Sequence, residues 1–254
     1  MSLNEEEAKY NKNRYCMHIF YTPDIDRVHE MPEEESLHCA KVLRLAAGEQ
    51  VRLTDGKGHS YLAQITTSHP KRCAFSILSP VKDHQIRDYG LHIAIAPTKN
   101  LDRIEWFAEK ATEMGIDGLT FLKCRFSERK ELKEERIHKI LVSAMKQSLK
   151  STLPLLTGMT SFADFIRLPF PGEKYIAHCY DEIPRTPLSL SYTSRQNALV
   201  LIGPEGDFSN EEVKAAIDAG FVSVSLGKSR LRTETAALVA CQTIHLINEI
   251  GAAK

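Results

Sequence analysis

Residues Ala198–Ile202 are five apolar residues in a row, and the run stops at Gly203-Pro204-Glu205-Gly206. A strand with one wet face alternates polar and apolar side chains. An unbroken apolar run reads instead as a strand covered on both faces, the condition of a parallel sheet layered with helices. Ser209, with Glu212 three positions on, makes a capping box for a helix whose apolar face is Val213, Ala216 and Ile217. Gly220 ends that helix, and residues 221–226 form a second strand that breaks at Gly227. Two glycine turns at the ends of neighbouring strands would line a pocket with bare backbone, suited to a flat molecule with polar edges.

The same pattern continues through the second two thirds of the chain. Residues 91–96, 119–122 and 175–179 read as further strands, with helices between most of them. The helix at 101–114 turns Leu101, Ile104, Phe107, Ala108 and Ala111 inward and ends at Gly115. A last helix, 233–250, starts at Thr-Glu-Thr and carries Ala237, Leu238, Cys241, Ile244 and Leu246 as apolar positions. The expectation is an α/β fold with a mostly parallel sheet.

Before residues 80–88 the pattern differs. Short alternating runs at 16–21, 50–54, 60–65 and 74–78 are separated by Gly48, Asp55-Gly56-Lys57-Gly58 and Pro70. Asp-Gly between such runs signals a hairpin, so this part reads as a small antiparallel barrel, interrupted by a helix at 36–45. His38, Lys41 and Arg44 share one face of that helix by three- and four-residue spacing and are candidate phosphate contacts; His38 reads equally well as a capping or packing residue. The expected organisation is a polar tail at 1–14, a barrel at 15–83 and an α/β domain at 84–254.

Glycine at a strand-to-helix turn suggests a phosphate or dinucleotide site, and the residues argue against one. Neither Gly-x-x-x-x-Gly-Lys-Ser/Thr nor Gly-x-Gly-x-x-Gly occurs. Pro204 removes an amide donor where a phosphate cradle needs one, and Glu205 sets a negative charge beside it. The pocket prefers a ligand neutral or cationic at the point of contact, and S-adenosylmethionine meets that requirement. On spacing alone, two ordinary α/β turns account for the pattern equally well.

The segments Ile202-Gly-Pro-Glu-Gly-Asp-Phe-Ser209 and Leu226-Gly-Lys-Ser-Arg-Leu-Arg-Thr-Glu-Thr-Ala236 resemble the signature of the SPOUT-superfamily methyltransferases that act on uridine ring nitrogen three in small-subunit (16S) ribosomal RNA. The resemblance continues in Glu109-Lys-Ala-Thr-Glu-Met-Gly115, in Ala144-Met-Lys-Gln-Ser-Leu-Lys150 before Leu153-Pro154, and in His38 with Val42-Leu-Arg44. Two positions depart from it: Asp207 stands where glycine is usual, and Lys146 where glutamate is expected. The resemblance implies a PUA-like RNA-binding barrel, followed by a SPOUT domain whose C-terminal end is tied in a deep trefoil knot, an exception to unknotted topology. It also implies a cofactor site at Leu201, Ile202, Gly203, Pro204, Glu205 and Gly206, joined by Leu226, Gly227, Leu231, Arg232, Thr235 and Ala236. RNA contacts would come from His38, Lys41, Arg44, Lys99, Arg125 and Arg129, with Lys146, Gln147, Ser148 and Lys150. The implied partners are 16S rRNA in the assembled small subunit and a second copy of the chain. His178 and Glu182 fall where a first knot loop would lie, and read as a surface histidine and a loop acid.

A formal net charge of zero is an awkward base for RNA binding. Between Lys123 and Lys150, however, nine Lys or Arg stand against four Glu, enough for a local basic face. The bland reading of that stretch is a solvated helix with internal ion pairs such as Glu135 with Lys139. Six scattered cysteines without a Cys-x-x-Cys pair suggest reduced thiols in a cytoplasmic protein and no zinc site. No apolar run reaches membrane-spanning length, and the expectation is neither membrane nor metal.

A uracil ring nitrogen carries a proton that must leave before or during methylation, so the enzyme must stabilise a uracil anion. Arg232 is the candidate, because a guanidinium stays charged and presents a fork of donors. Glu234 is the candidate proton acceptor, or the group that orients Arg232; as a pair they also read as a helix cap with a surface ion pair. Three other readings stay open: methylation of a ribose 2'-hydroxyl, a non-catalytic RNA-binding assembly factor, and binding of another adenine nucleotide in the glycine loops.

Overall fold

The structure, a computed structural model, describes residues 18–82 and 87–252. The tail at 1–14, the start of the 16–21 strand and residues 83–86 of the expected boundary lie outside them. The chain divides into two units, residues 1–86 with 145–153, and residues 87–144 with 154–254.

In the first unit the strands are β1 (Ile19–Tyr21), β2 (Gln50–Thr54), β3 (Ser60–Thr67) and β4 (Ala74–Val81), paired in that order. The pairings β2–β3 and β3–β4 are antiparallel. β1 instead runs parallel to β2, with Ile19 opposite Arg52, which corrects the wholly antiparallel expectation. A parallel pair needs a long crossover, and the chain between these two strands supplies one that contains a helix. Phe20, Ile25, Val51, Leu53, Ile65 and Phe75 form the core. The Asp-Gly hairpin is built as the sequence suggests. Asp55 Oδ1 accepts from the amides of Lys57 (2.7 Å) and His59 (3.1 Å), and Gly56 takes φ +74°.

The helix of this unit, α1 (Glu33–Leu37), starts earlier than the spacing predicts. Pro32 precedes it, and three glutamates in its first turn complement the helix dipole. It runs into a π-helical turn at His38–Val42, and Arg44 follows in the left-handed region at φ +55°. The turn breaks the α-helical register, so His38, Lys41 and Arg44 are exposed without sharing one helical face. The His38 ring meets Phe20 edge-on at 6.1 Å, a packing contact. Residues 145–153 are bonded into this unit: Ser151 O accepts from Thr54 Oγ1 (3.1 Å) and Gly58 N (3.0 Å), and Leu153 N donates to Gly56 O (2.8 Å).

The second unit contains β5 (Leu91–Ile95), α2 (Leu101–Met114), β6 (Gly118–Lys123), α3 (Glu134–Gln147) up to Ala144, β7 (Leu155–Ser161), β8 (Glu173–Ala177), β9 (Thr186–Pro187), β10 (Ala198–Ile202), α4 (Asn210–Asp218), β11 (Val222–Ser225) and α5 (Thr233–Ala252). The sheet order is β7-β6-β5-β10-β8-β11-β9, and every pairing is parallel. Val200 lies opposite Ile93 on one side and Tyr175 on the other. All of β10 is buried, as its apolar run requires. The Ser209–Glu212 capping box is complete, and Val213 and Ala216 of α4 face inward while Ile217 stays exposed. β8 ends at Ala177, two residues before the expected end, which leaves His178 and Cys179 in a loop.

His92 on β5 lies against Phe165 and over Gly118, and its Nε2 is 2.8 Å from Thr120 Oγ1. Burial pushes its pKa down to about 4. The folded state therefore holds His92 neutral where the unfolded chain would protonate it. Its contribution to stability is complete above pH 6.5 and is lost as pH falls toward 4, up to about 3 kcal/mol. Urea unfolding at pH 7.5 and 4.5 checks this. His92→Gln should show a smaller acid loss than the wild type, and equal losses would exclude the histidine as the cause.

Candidate cofactor and substrate site

Because every strand of the sheet runs the same way, the loops after β5, β8, β10 and β11 emerge along one edge. In open α/β sheets ligands bind at that edge, where the strand order reverses. β10 and β11 are not neighbours, contrary to the sequence expectation, because β8 lies between them. The two glycine loops are bridged by a third loop, beginning at His178, that sequence reasoning left outside the site.

The β10 loop is tightly built. Gly203 is buried, and a Cβ there would stand 3.0 Å from Phe208 N and 3.1 Å from its ring. Phe208 is fully buried, with its ring 5.3 Å from that of Phe162. Leu201 and Ile202 spend their side chains on the core, and Ile202 O accepts from Ala96 N (3.0 Å). Pro204 is buried, whereas Glu205 and Gly206 are exposed. Glu205 Oε1 takes the amide of Lys99 in the β5 loop at 2.9 Å.

His178 is buried, which corrects its reading as a surface residue. Its Nε2 is 2.5 Å from Ser223 Oγ on β11, and burial lowers its pKa. It joins the β8 loop to β11. Glu182 is exposed, as expected of a loop acid.

On the β11 side, Gly227 takes φ +114° with open space where a side chain would project, and Leu226 and Leu231 are partly buried. The Arg232 carbonyl accepts from Ala236 N (2.7 Å), so α5 begins immediately after it, with Thr235 and Ala236 in its first turn. Lys228, Arg230 and Arg232 are exposed and make no ion pair among the described residues. Glu234 is buried and does not pair with Arg232. It faces Arg103 of α2 instead, Oε1 to Nε 3.8 Å, while its buried Oε2 has no partner. No local pattern marks Arg103; only the packing of α2 against α5 brings it there.

The expected basic face is largely paired with nearby acceptors. Lys99 Nζ meets Glu128 at 3.0 Å, Arg125 meets Glu211 at 3.1 Å, and Arg129 donates to Lys99 O at 2.7 Å. In the first unit Lys146 meets the buried Glu35 at 2.5 Å. Gln147 is exposed, Ser148 Oγ donates to Met145 O (3.3 Å), and Lys150 is partly buried. Lys139 pairs with Glu135, as the solvated-helix reading has it.

The arrangement fits a ligand such as S-adenosylmethionine better than a phosphate. Pro204 offers no donor, Glu205 presents a carboxylate, and the left-handed Gly227 leaves room against bare backbone. Among the described residues no group of three or more His, Cys, Asp or Glu could hold a metal ion, and no helix is long and apolar enough to cross a membrane.

Comparisons with known proteins agree with this geometry. Residues 87–245 match the family described as an RNA methyltransferase domain, and residues 32–78 match the RNA methyltransferase PUA domain. A probable rRNA-methyltransferase from Porphyromonas gingivalis has 41% identity and a TM-score of 0.86, over 92% of this chain and 100% of its own. Ribosomal RNA small subunit methyltransferase E from Neisseria gonorrhoeae, crystallised bound to S-adenosyl methionine, has 25% identity and a TM-score of 0.75, over 91% and 98%. The protein of the same name from Rickettsia conorii is 27% identical over 221 residues, 86% of this chain and 89% of its own.

Proposed function

The chain belongs to the RNA methyltransferase family, and we propose that it methylates a uridine of 16S rRNA at ring nitrogen three with S-adenosylmethionine as donor. The observation that carries the reading is the edge itself: the two glycine loops share it with three exposed cations and with a buried acid whose Oε2 has no hydrogen-bond partner. Bound there, the cofactor would supply an electrophilic methyl on a good leaving group. Gly203, Gly206 and Gly227 would offer close backbone approach to it, and the loops would hold it in line with the base.

Arg232 would meet the uracil oxygens as negative charge develops, its forked donors suited to a planar anion. Glu234 would take the ring proton through Oε2, with Arg103 holding Oε1. Lys228 and Arg230 would meet RNA phosphates, since the other candidate cations on this unit are engaged in pairs of their own. Replacing both by alanine should weaken RNA binding across sequences and flatten its salt dependence by about two unit charges. A titration series against salt measures this, and an unchanged slope would remove them from the interface.

Residues 15–83, with the segment 145–153 bonded to them, would act as an RNA-binding PUA-like module, and the rest of residues 84–254 as the knotted catalytic domain. β10 lies between β5 and β8 although it follows both in sequence, which is compatible with such a knot. We read the active form as a homodimer working in the cytoplasm on the assembled subunit. Leu246 and Ile250, one turn apart on α5, are 46% and 52% exposed and offer an apolar face for pairing. Sedimentation at assay concentration decides the point, a fully active monomer being the contrary result. The deciding experiment for the function is mass spectrometry of small-subunit RNA nucleosides from cells lacking the protein. 3-Methyluridine should disappear and return with the wild-type gene; its persistence would overturn the proposal.

A further inference from the structure

We infer that Asp207 is a positioning residue that latches the β10 loop to the β8 loop, and that the cofactor affinity of this chain depends on the latch. The inference rests on the cofactor reading above.

Asp207 holds the left-handed conformation at φ +67°, where glycine sits without strain and aspartate sits at some cost. The carboxylate gives that conformation a purpose. Oδ2 accepts from the amide of Cys179, 28 residues away on the β8 loop, at 2.8 Å, and Oδ1 lies 2.8 Å from the amide of Phe208. A second bond runs between the same loops, from Tyr180 Oη to Phe208 O at 2.7 Å. The β8 loop is fixed on its other side as well, through His178 to Ser223 on β11. Together these bonds tie the strand ends β10, β8 and β11 into one wall, and Asp207 is its charged member. Glycine at 207 would keep the turn and lose the bond, so in this chain strain is exchanged for rigidity.

A preorganised loop need not be ordered when ligand arrives, and that cost otherwise appears as weaker binding. Asp207→Gly should therefore leave folding intact with only a small change in melting temperature, because relief of the strained position offsets the lost hydrogen bond and the greater backbone freedom of glycine. S-adenosylmethionine affinity should fall about tenfold, the scale of one lost charge-assisted hydrogen bond. KM for the cofactor should rise by the same factor while kcat stays within about twofold, since the residue does not touch the reacting atoms. Asp207→Asn keeps one acceptor and turns a donor toward the other amide, so it should recover only part of the affinity.

The measurements are calorimetric titration with S-adenosylmethionine, steady-state kinetics, and amide exchange of Cys179 in the unliganded full chain. Faster Cys179 exchange with weaker binding is the expected result. Wild-type affinity in a folded Asp207→Gly protein, or unchanged Cys179 exchange, would overturn the inference. If the wild type itself binds no S-adenosylmethionine, the cofactor reading fails, and the exchange rates still decide whether the latch exists.

Discussion

Arg232→Ala should lower the single-turnover methyl-transfer rate by about 10²–10³-fold with RNA and cofactor both saturating, while leaving both affinities within a few-fold of wild type. The position of the residue argues for this. A cation at the N-terminus of a helix faces the positive end of the helix dipole, a placement that costs stability unless something negative arrives. Within the described residues nothing does: Glu234, the nearest acid in sequence, is turned toward Arg103. A local rule broken without an internal compensation is the kind of site where function is expected. The negative charge the reaction supplies is that of the deprotonated uracil, greatest near the transition state, so loss of the arginine should appear in kcat rather than in KM. Arg232→Lys should recover less than tenfold, because a point charge does not reproduce two forked donors. If Arg232→Ala weakens RNA binding and keeps wild-type turnover at saturation, the arginine is a phosphate contact and the catalytic assignment falls.

The parts of this molecule that could be read from sequence are those where one local cause decides the outcome. β10 is legible because both of its faces are buried and its side chains are all apolar. The start of α4 is legible because Ser209 and Glu212 satisfy each other's neighbouring amides without help from elsewhere. β7 escapes because it is an edge strand with much of its surface open to water, so Leu155–Ser161 shows neither an apolar run nor clean alternation. The π-helical turn at His38–Val42 carries no sequence mark and undoes a face argument built on α-helical spacing.

At the candidate site the limit is of another kind. Sequence identifies which loops carry glycine, but not that β8 separates their strands. That single fact brings in His178 and Cys179 and gives Asp207 a partner, while the packing of α2 against α5 makes Arg103 the neighbour of Glu234. Each of these contacts joins residues distant along the chain, and none is required by any local pattern. Asp207 was visible as a departure from the family's glycine, but its reason was not, since the reason is an amide 28 residues earlier.

Gly203→Val should abolish detectable S-adenosylmethionine binding, and the reason differs from the one the sequence suggests. A side chain at 203 would not simply plug an open pocket, because its Cβ meets protein: the Phe208 amide at 3.0 Å and the Phe208 ring at 3.1 Å. Phe208 cannot give way cheaply. It is fully buried against Phe162, and its carbonyl is held by Tyr180. Accommodating a branched side chain therefore means moving the whole turn 204–208, which separates the β10 wall from the β8 loop and costs stability on the scale of overpacking, about 1–3 kcal/mol. Gly203→Ala isolates the effect in a milder form, since one methyl at this distance asks Phe208 to shift by a few tenths of an ångström, and cofactor affinity should drop without loss of fold. Gly227→Ala is the contrasting change: space is free there, so its cost is the left-handed backbone alone. Calorimetric titration of the three variants, each checked for cooperative urea unfolding, gives the comparison. Wild-type affinity in a cooperatively folded Gly203→Val protein would place the cofactor somewhere other than the β10 loop.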